Sequence, residues 1–464
     1  LPPEKRILMS HIINHRLNQF SWAVAALLLL PLLFTKGMFF DGLTYATIAR
    51  NLEEGLGTFW APHYTAYIHP EFYEHPPFSF GIHSIFYRLF GDQAWVDRFY
   101  AYTLYGLSIL MMRRLWSLFI AAGHRAWIPQ LLWTITPGVI WVHQNNMLEA
   151  PLNAATLAVT WLLIEGTFKR NYFWSALAGV LLYVALGVKG PVGAFVIMVL
   201  PVLAVLFPEH RKASLWSGMA MIVSFSLLFS YSYLYVPDFT KFFEGYLNKQ
   251  LMPTLGGLRE QAGSVSDSLL TLGKQFIIPI AVLAILVVRK KATYKMRRES
   301  AFFFIIALCA TLPFLFMDRQ HHYYFMPAMA YWMLGFAILM EQNPWPWGIQ
   351  RKKWVIRLTI TNLSMWVIAI GLSIYFSKSP SRDKHVIKAM KAIAADYPET
   401  SIQVAHLPSQ WKWAAIAARY EKIQLCEAPQ KLYLNVRGEV APEGFELLTE
   451  YPKAGFDIYK KATP

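Results

Sequence analysis

Charged side chains are scarce in this chain. Asp, Glu, Lys and Arg make up 15% of its 464 residues, hydrophobic residues make up 55%, and mean hydropathy is +0.33. Soluble domains carry roughly 25% charged residues, so a water-soluble globular fold is excluded. Cysteine is almost missing. Cys309 lies in an apolar run and Cys426 in a polar tail, so no disulfide framework is implied and the redox compartment stays open. There is no glycine-rich phosphate loop, nucleic-acid-binding motif, internal repeat or low-complexity tract. The missing repeat counts against a transporter built from duplicated halves. A net charge of +15 would suggest nucleic acid as the partner of a soluble domain. Here the Lys and Arg residues sit in short loops between apolar runs, as the positive-inside bias requires, and nucleic acid is not expected.

What is abundant is long apolar sequence. Runs of about 17–23 residues, long enough to cross the hydrocarbon core, recur along most of the chain. They predict an all-α polytopic membrane domain of about eleven helices, near 20–34, 95–119, 127–142, 150–164, 173–188, 192–207, 215–236, 269–288, 301–316, 325–340 and 355–376. Lys5, Arg6 and Arg16 precede the first run without a small-residue cleavage site, which reads as a retained anchor with a cytoplasmic N-terminus. Every inward turn is then basic, and the outward turns hold most of the acids and histidines. This topology makes 36–94 a first external loop and 237–268 a second. Within the first, 42–54 and 78–90 read as amphipathic helices lying in the interface plane. The chain divides into a membrane domain, 1–376, and a small α/β domain on the outer side, 377–464. That tail has helix patterns at 384–397 and 410–420 and strand patterns at 401–405, 431–436 and 456–459.

Ionisable groups at a membrane rim are candidates for function. Asp41 opens the first external loop. It precedes a glycine and a helical stretch, so it reads either as a helix N-cap or as a general base for an acceptor hydroxyl. Tyr73-Glu74-His75-Pro76-Pro77 follows in the same loop. The prolines suit a helix start, while Glu74 and His75 fit an acceptor or cation contact and a phosphate contact respectively. His63, His69 and His83 lie nearby, so a divalent metal is conceivable, although the spacing matches no strong metal motif and the metal ligands stay unknown. Glu149 begins the fourth helix and is a candidate catalytic acid beside Asp41 and Glu74, although the helix dipole also favours an acid there. Lys189-Gly190-Pro191 is a tight hairpin whose outward lysine runs against the positive-inside bias and fits a phosphate. Arg319, His321, His322, Tyr323 and Tyr324 form the densest outer polar cluster and suggest anion binding. Lys249 and Arg259 read as ordinary solvated loop cations.

These pieces assemble into one chemistry. A polyprenyl chain lies in the membrane with its phosphate held by rim cations, Asp41 activates the acceptor, and the cations stabilise the departing phosphate. The competing reading is a transporter or flippase for a lipid-linked anion, which shares the outer cations. It would also need polar residues deep in Gly/Pro-broken helices of matched halves, and few are present.

Phe40-Asp41, Tyr73-Glu74-His75-Pro76-Pro77, Asn146-Met147-Leu148-Glu149, Lys189-Gly190-Pro191 and His322-Tyr323-Tyr324-Phe325-Met326-Pro327 together resemble the GT-C membrane glycosyltransferases. The likeness is strongest to the branch holding the aminoarabinose transferases that modify lipid A and the protein O-mannosyltransferase-like enzymes. The resemblance implies a polyprenyl- or dolichyl-phosphate sugar donor, inversion at the anomeric carbon, Asp41 as the base, and a bacterial inner-membrane location with a periplasmic tail. The acceptor would be a lipid, glycan or protein. Two departures stand out. The aminoarabinose enzymes have Glu-Lys-Pro where this chain has Glu74-His75-Pro76, and their second loop carries a metal-binding histidine where 245–268 has none.

Overall fold

The computed structural model describes residues 3–121, 123–255, 264–290, 296–315, 317, 321–342, 352–440 and 442–462. In chain order the helices are α1 (Pro3–Leu29), α2 (Phe40–Glu53), α3 (Phe78–Phe90), α4 (Ala94–Phe119), α5 (Trp127–Thr134), α6 (Pro137–Gln144), α7 (Glu149–Lys169), α8 (Tyr172–Lys189), α9 (Val199–Leu206), α10 (Arg211–Tyr235), α11 (Phe239–Tyr246), α12 (Met252–Leu255), α13 (Val265–Lys290), α14 (Arg298–Leu315), α15 (Met326–Glu341), α16 (Lys352–Phe376), α17 (Lys384–Asp396) and α18 (Trp411–Glu421). The strands are β1 (Ser401–Val404), β2 (Gln424–Cys426), β3 (Leu432–Val436), β4 (Phe445–Tyr451) and β5 (Phe456–Lys461). They divide into two compact units. One holds residues 1–30, 101–143 and 148–372; the other holds 31–100, 144–147 and 373–464.

The first unit is a helical membrane body. Among the described residues six helical segments are long and apolar enough to cross a bilayer, or seven if α6 and α7, bent by 114°, form one broken span. The chain is therefore an integral membrane protein with at least six candidate spans. Several of the expected crossings fall short of that test for visible reasons. The expected 127–142 helix is split into two eight-residue pieces, α5 and α6, at Pro137. The α4 helix carries Asp97, Arg98, Arg113 and Arg114. The expected crossings 173–188 and 192–207 pass the test only as one 35-residue stretch, Tyr172–Leu206, in which Gly190 has a φ of 64° and a 3-10 helix over Gly190–Met198 precedes α9. The segment expected as a second external loop, 237–268, contains α11 and α12; Arg259, in its remainder, lies outside the described residues.

Inside this unit α7 is buried along most of its length. Lipid gives polar groups no partner, so its side chains bond to neighbouring helices. Asn153 Nδ2 donates to Ser108 Oγ at 2.9 Å, Thr160 and Tyr331 hydroxyls meet at 2.8 Å, and Thr167 Oγ1 donates to Ser217 Oγ at 2.9 Å. Small residues allow the close approach. A Cβ on Gly179 of α8 would lie 2.0 Å from Ser224 Oγ of α10. Leu270 and Ile277 on α13, and Leu363 and Val367 on α16, are large, apolar and exposed, as a lipid-facing surface requires.

The second unit is α/β. Its five-stranded sheet has the order β2-β1-β3-β5-β4; β1 pairs in parallel with β2 and β3, and β5 is antiparallel to β3 and β4. The expected helices and three of the strands are present. β2 and β4 were not anticipated: β2 has three residues, and β4 is exposed over most of its length and so lacks a core-facing alternation. α2 differs more. The reading as an amphipathic helix leads one to expect an exposed polar side, but residues 42–51 are all buried. The small residues Ala414, Ala415, Ala417 and Ala418 of α18 let that helix cover the polar side of α2. α3 keeps an exposed apolar face at Ile85, Leu89 and Phe90, in line with the interfacial reading.

Buried charge locks this unit. Arg419 on α18 donates from Nε and Nη2 to Asp97 Oδ2 and Oδ1, at 3.1 and 2.9 Å, and from Nη1 to Asp92 Oδ1 at 2.7 Å. The Tyr87 hydroxyl donates to the same Asp97 Oδ1. Burial opposes the Arg419 charge, but Asp97, Tyr87 and Asp92 together hold its pKa well above the ordinary value. His83, stacked between Tyr87 and Tyr100, is pushed well below the usual histidine range by burial and by Arg419, so the guanidinium is the counter-charge of Asp97. Arg98 is 1% exposed and among the described residues donates to uncharged oxygens: to the carbonyls of Gln144 and Leu32 at 2.9 Å each, to Gly37 at 2.5 Å, and to Thr35. It thereby fastens the chain entering α2 to the turn after α6.

Candidate active site

In the second unit the functional candidates sit on and around the start of α2. The N-cap of that helix is Phe39, and Asp41 lies in the first turn, so Asp41 is not the cap residue. Its backbone is fixed from outside the helix. The Phe39 N–H donates to Asn145 Oδ1 at 2.7 Å, and Asn146 Nδ2 donates to the Gly42 carbonyl at 3.3 Å. Asn146 is itself left-handed at φ 52°. A Cβ on Gly42 would fall 1.8 Å from the Asn145 carbonyl oxygen. Glycine is therefore required here for contact, and Gly42→Ala is expected to displace the first turn of α2. The overpacking should destabilise the protein by about 1–3 kcal/mol and remove most activity, read as a lowered melting point beside a turnover assay.

The Glu74–Pro77 segment leads into α3, with Pro77 at its N-cap. Glu74 Oε1 is 3.6 Å from His69 Nε2, and His75 packs edge-on against Tyr45 of α2 at 5.7 Å between ring centroids. The histidines do not converge. His63 Nδ1 is 3.0 Å from the Pro70 carbonyl, His69 faces Glu74, and His83 is buried between tyrosines. Among the described residues no three His, Cys, Asp or Glu side chains form a group able to hold a metal ion.

In the first unit a second set of candidates comes together. Glu149 is the first residue of α7 and Lys189 the last of α8, and their side chains form a direct ion pair, with Glu149 only 1% exposed and Lys189 10%. Lys189 is therefore a partnered cation. Its ammonium lies over the rings of Tyr324, at 4.8 Å, and Tyr323, at 5.8 Å, where the ring quadrupoles favour positive charge. His321 stacks on Tyr323 at 5.2 Å with an interplanar angle of 4°. His322 packs edge-on against Trp141 at 4.7 Å, and Trp141 stacks on Tyr323 at 5.4 Å. Glu149 Oε1 takes the lysine, while Oε2 is buried and accepts no hydrogen bond among the described residues. A buried acceptor of that kind normally finds a donor. Arg319 lies outside the described residues.

The structure thus groups Glu149, Lys189, His321, His322, Tyr323 and Tyr324 in one unit, and Asp41, Glu74 and His75 in the other. Sequence reasoning missed three participants. Trp141 looks like any aromatic in an apolar helix. Tyr246 lies against Gly190, where a Cβ would come 2.0 Å from its hydroxyl oxygen. Arg98 lies within the apolar 95–119 run and was not singled out. The one legible clue was Asn145-Asn146, an amide pair in an otherwise apolar stretch.

This arrangement of helices with a small α/β unit has the fold of the GT-C membrane glycosyltransferases. The crystal structure of ArnT from Cupriavidus metallidurans bound to undecaprenyl phosphate is similar over 96% of this chain and 98% of that one, with a TM-score of 0.67 at 16% sequence identity. The apo ArnT structure from the same organism is similar over 94% and 97%, with a TM-score of 0.64 at 16% identity. No protein-family model matches the sequence, and no curated protein matches it.

Proposed function

We propose that this protein transfers a sugar from a polyprenyl-phosphate donor to an acceptor hydroxyl or phosphate at the outer face of a bacterial inner membrane, with inversion at the anomeric carbon. The acceptor class is a lipid, glycan or protein. The observation that carries the reading is the Glu149–Lys189 pair capped by the Tyr323 and Tyr324 rings, in a fold shared along nearly its whole length with a protein crystallised with undecaprenyl phosphate. Asp41 is the general base and Glu74 an acceptor contact. Lys189, Arg319, His321, His322, Tyr323, Tyr324 and His75 are the phosphate contacts, and Glu149 holds Lys189 in place. The chain crosses the membrane eleven times with its N-terminus in the cytoplasm, and 377–464 is periplasmic.

The step balances without a nucleotide. Asp41 takes the proton of the acceptor hydroxyl, whose oxygen bonds to the anomeric carbon. The bond from that carbon to the phosphate oxygen breaks, and the lipid phosphate leaves with the electron pair. Cations aimed at the departing oxygen act where charge grows, which is usually the largest part of catalysis. Removing the charge of Lys189 therefore tests the reading. Lys189→Met should raise the donor KM about tenfold or more, a loss of about 1.4 kcal/mol or more, and Lys189→Arg should restore most of it. An unchanged donor KM in a folded Lys189→Met protein would remove this phosphate site. Arg319→Ala should act in the same direction.

A further inference from the structure

A polar hollow lies within the unit that carries Asp41. It has a volume of about 180 Å³ and is bounded by the later turns of α2, the chain around Tyr64, the end of α18 and the start of β2. Its walls include Arg50, Asn51, Glu54, Glu399, Lys422 and Gln424. None of these takes part in the chemistry assigned above.

Three features define what fits. The first is size: the volume is the room of roughly six waters, enough for one sugar ring and too small for a nucleotide or a lipid chain. The second is charge. Two cations, Arg50 and Lys422, face two carboxylates, Glu54 and Glu399. Lys422 Nζ donates to Glu54 Oε1 at 2.8 Å, and Arg50 Nε lies 3.8 Å from the same oxygen. The cations are therefore matched, and a free anion or cation entering the hollow would meet a like charge. A neutral molecule rich in hydroxyl groups meets donors and acceptors of both kinds. The third is backbone conformation. Glu399 and Lys422 are both left-handed, at φ 49° and 55°. Glycine or asparagine is the ordinary residue at such positions, Lys422 being the C-cap of α18. Long charged side chains are kept there against that preference, and both line the hollow. Outliers of this kind gather at binding sites.

We infer that this hollow binds one neutral sugar residue, held between Glu54, Glu399, Lys422 and Gln424. Its place on α2 sets its distance from the proposed base. Asn51 follows Asp41 by ten residues of continuous helix, about 15 Å at 1.5 Å per residue. A sugar in the hollow is therefore not the reacting one. It is a more distant unit of an acceptor glycan, an assignment that rests on the transferase reading, whereas sugar binding itself does not.

The test is saturation-transfer NMR on the full chain in lipid nanodiscs. The probes are the methyl glycosides of glucose, galactose, mannose and N-acetylglucosamine, each at tens of millimolar, with inorganic phosphate as competitor. At least one glycoside should receive saturation. The signal should fall about tenfold in the double variant Glu399→Gln/Lys422→Met and persist in Asp41→Asn. Both altered side chains of the double variant are solvent-facing in part, so the fold is expected to survive, as a circular-dichroism melt would record. No saturation with any glycoside, an undiminished signal in the folded double variant, or displacement by phosphate would each overturn the inference. A signal that behaves as expected in a protein that consumes no lipid-phosphate sugar would leave the sugar site standing and defeat the transferase reading alone.

Discussion

Asparagine in place of Asp41 is expected to lower the rate of sugar transfer by about 10²–10⁴-fold, the usual contribution of a positioned general base. The substitution keeps the shape of the side chain and removes only its ability to take a proton. The fold should tolerate it. Asp41 is not the helix cap, and an acid in the first turn gains about 0.3–1 kcal/mol from the helix dipole. The backbone bonds that hold the start of α2, from Phe39 to Asn145 and from Asn146 to Gly42, do not involve its carboxylate. The expected result is a purified variant with a near-normal melting point, unchanged donor binding and almost no turnover. Full turnover in Asp41→Asn would move the base elsewhere. Loss of folding would mean that the residue is structural.

The largest stability effect is expected at Arg419. Its guanidinium is fully buried, and it is the double partner of Asp97, which has no exposure at all. In Arg419→Met the Asp97 carboxylate loses its counter-charge while the Tyr87 hydroxyl and a neutral His83 remain beside it. Removing one member of a buried pair costs about 3–5 kcal/mol. Asp92 is a third exposed and can turn to solvent, so it adds little. The unit formed by 31–100, 144–147 and 373–464 should then open at markedly lower denaturant, followed by protease cleavage near α18. The double variant Arg419→Met/Asp97→Asn should recover part of the loss, since no charge is left stranded and the amide oxygen still accepts from Tyr87. If the single variant resists protease as well as the parent chain, the buried pair is not what fastens α18 to the start of α4.

The two predictions differ in how far the sequence foretold them. Asp41 was visible because an acid at the end of an apolar run is conspicuous. Arg419 was not, because nothing in Trp411–Glu421 tells that its partner lies more than three hundred residues away. The same limit explains α2. Its alternating polar residues read as a solvent-facing side, and only the alanine-rich face of α18, packed on it in space, buries them. Local signals did better. The helices at 78–90, 384–396 and 411–421, and the strands β1, β3 and β5, follow from periodicity and turn residues that need no distant partner. The split of the 127–142 run was also written locally, in Pro137, but apolar length masked it. For the site, residue types were legible and pairing was not. Lys189 read as an unmatched outer cation, and only the packing of α7 against α8 shows Glu149 against it.

The central claim is that the chain uses a lipid phosphate as the leaving group. It is tested most directly by incubating the purified protein with undecaprenyl-phosphate sugar and an extract of bacterial envelope lipids and glycans. Mass spectrometry then follows the lipid pool and the acceptors together. The account predicts that free undecaprenyl phosphate appears in step with an acceptor heavier by one sugar, and that neither appears with Asp41→Asn. A donor that stays intact with every acceptor supplied, while the parent protein remains folded in the membrane, would contradict it.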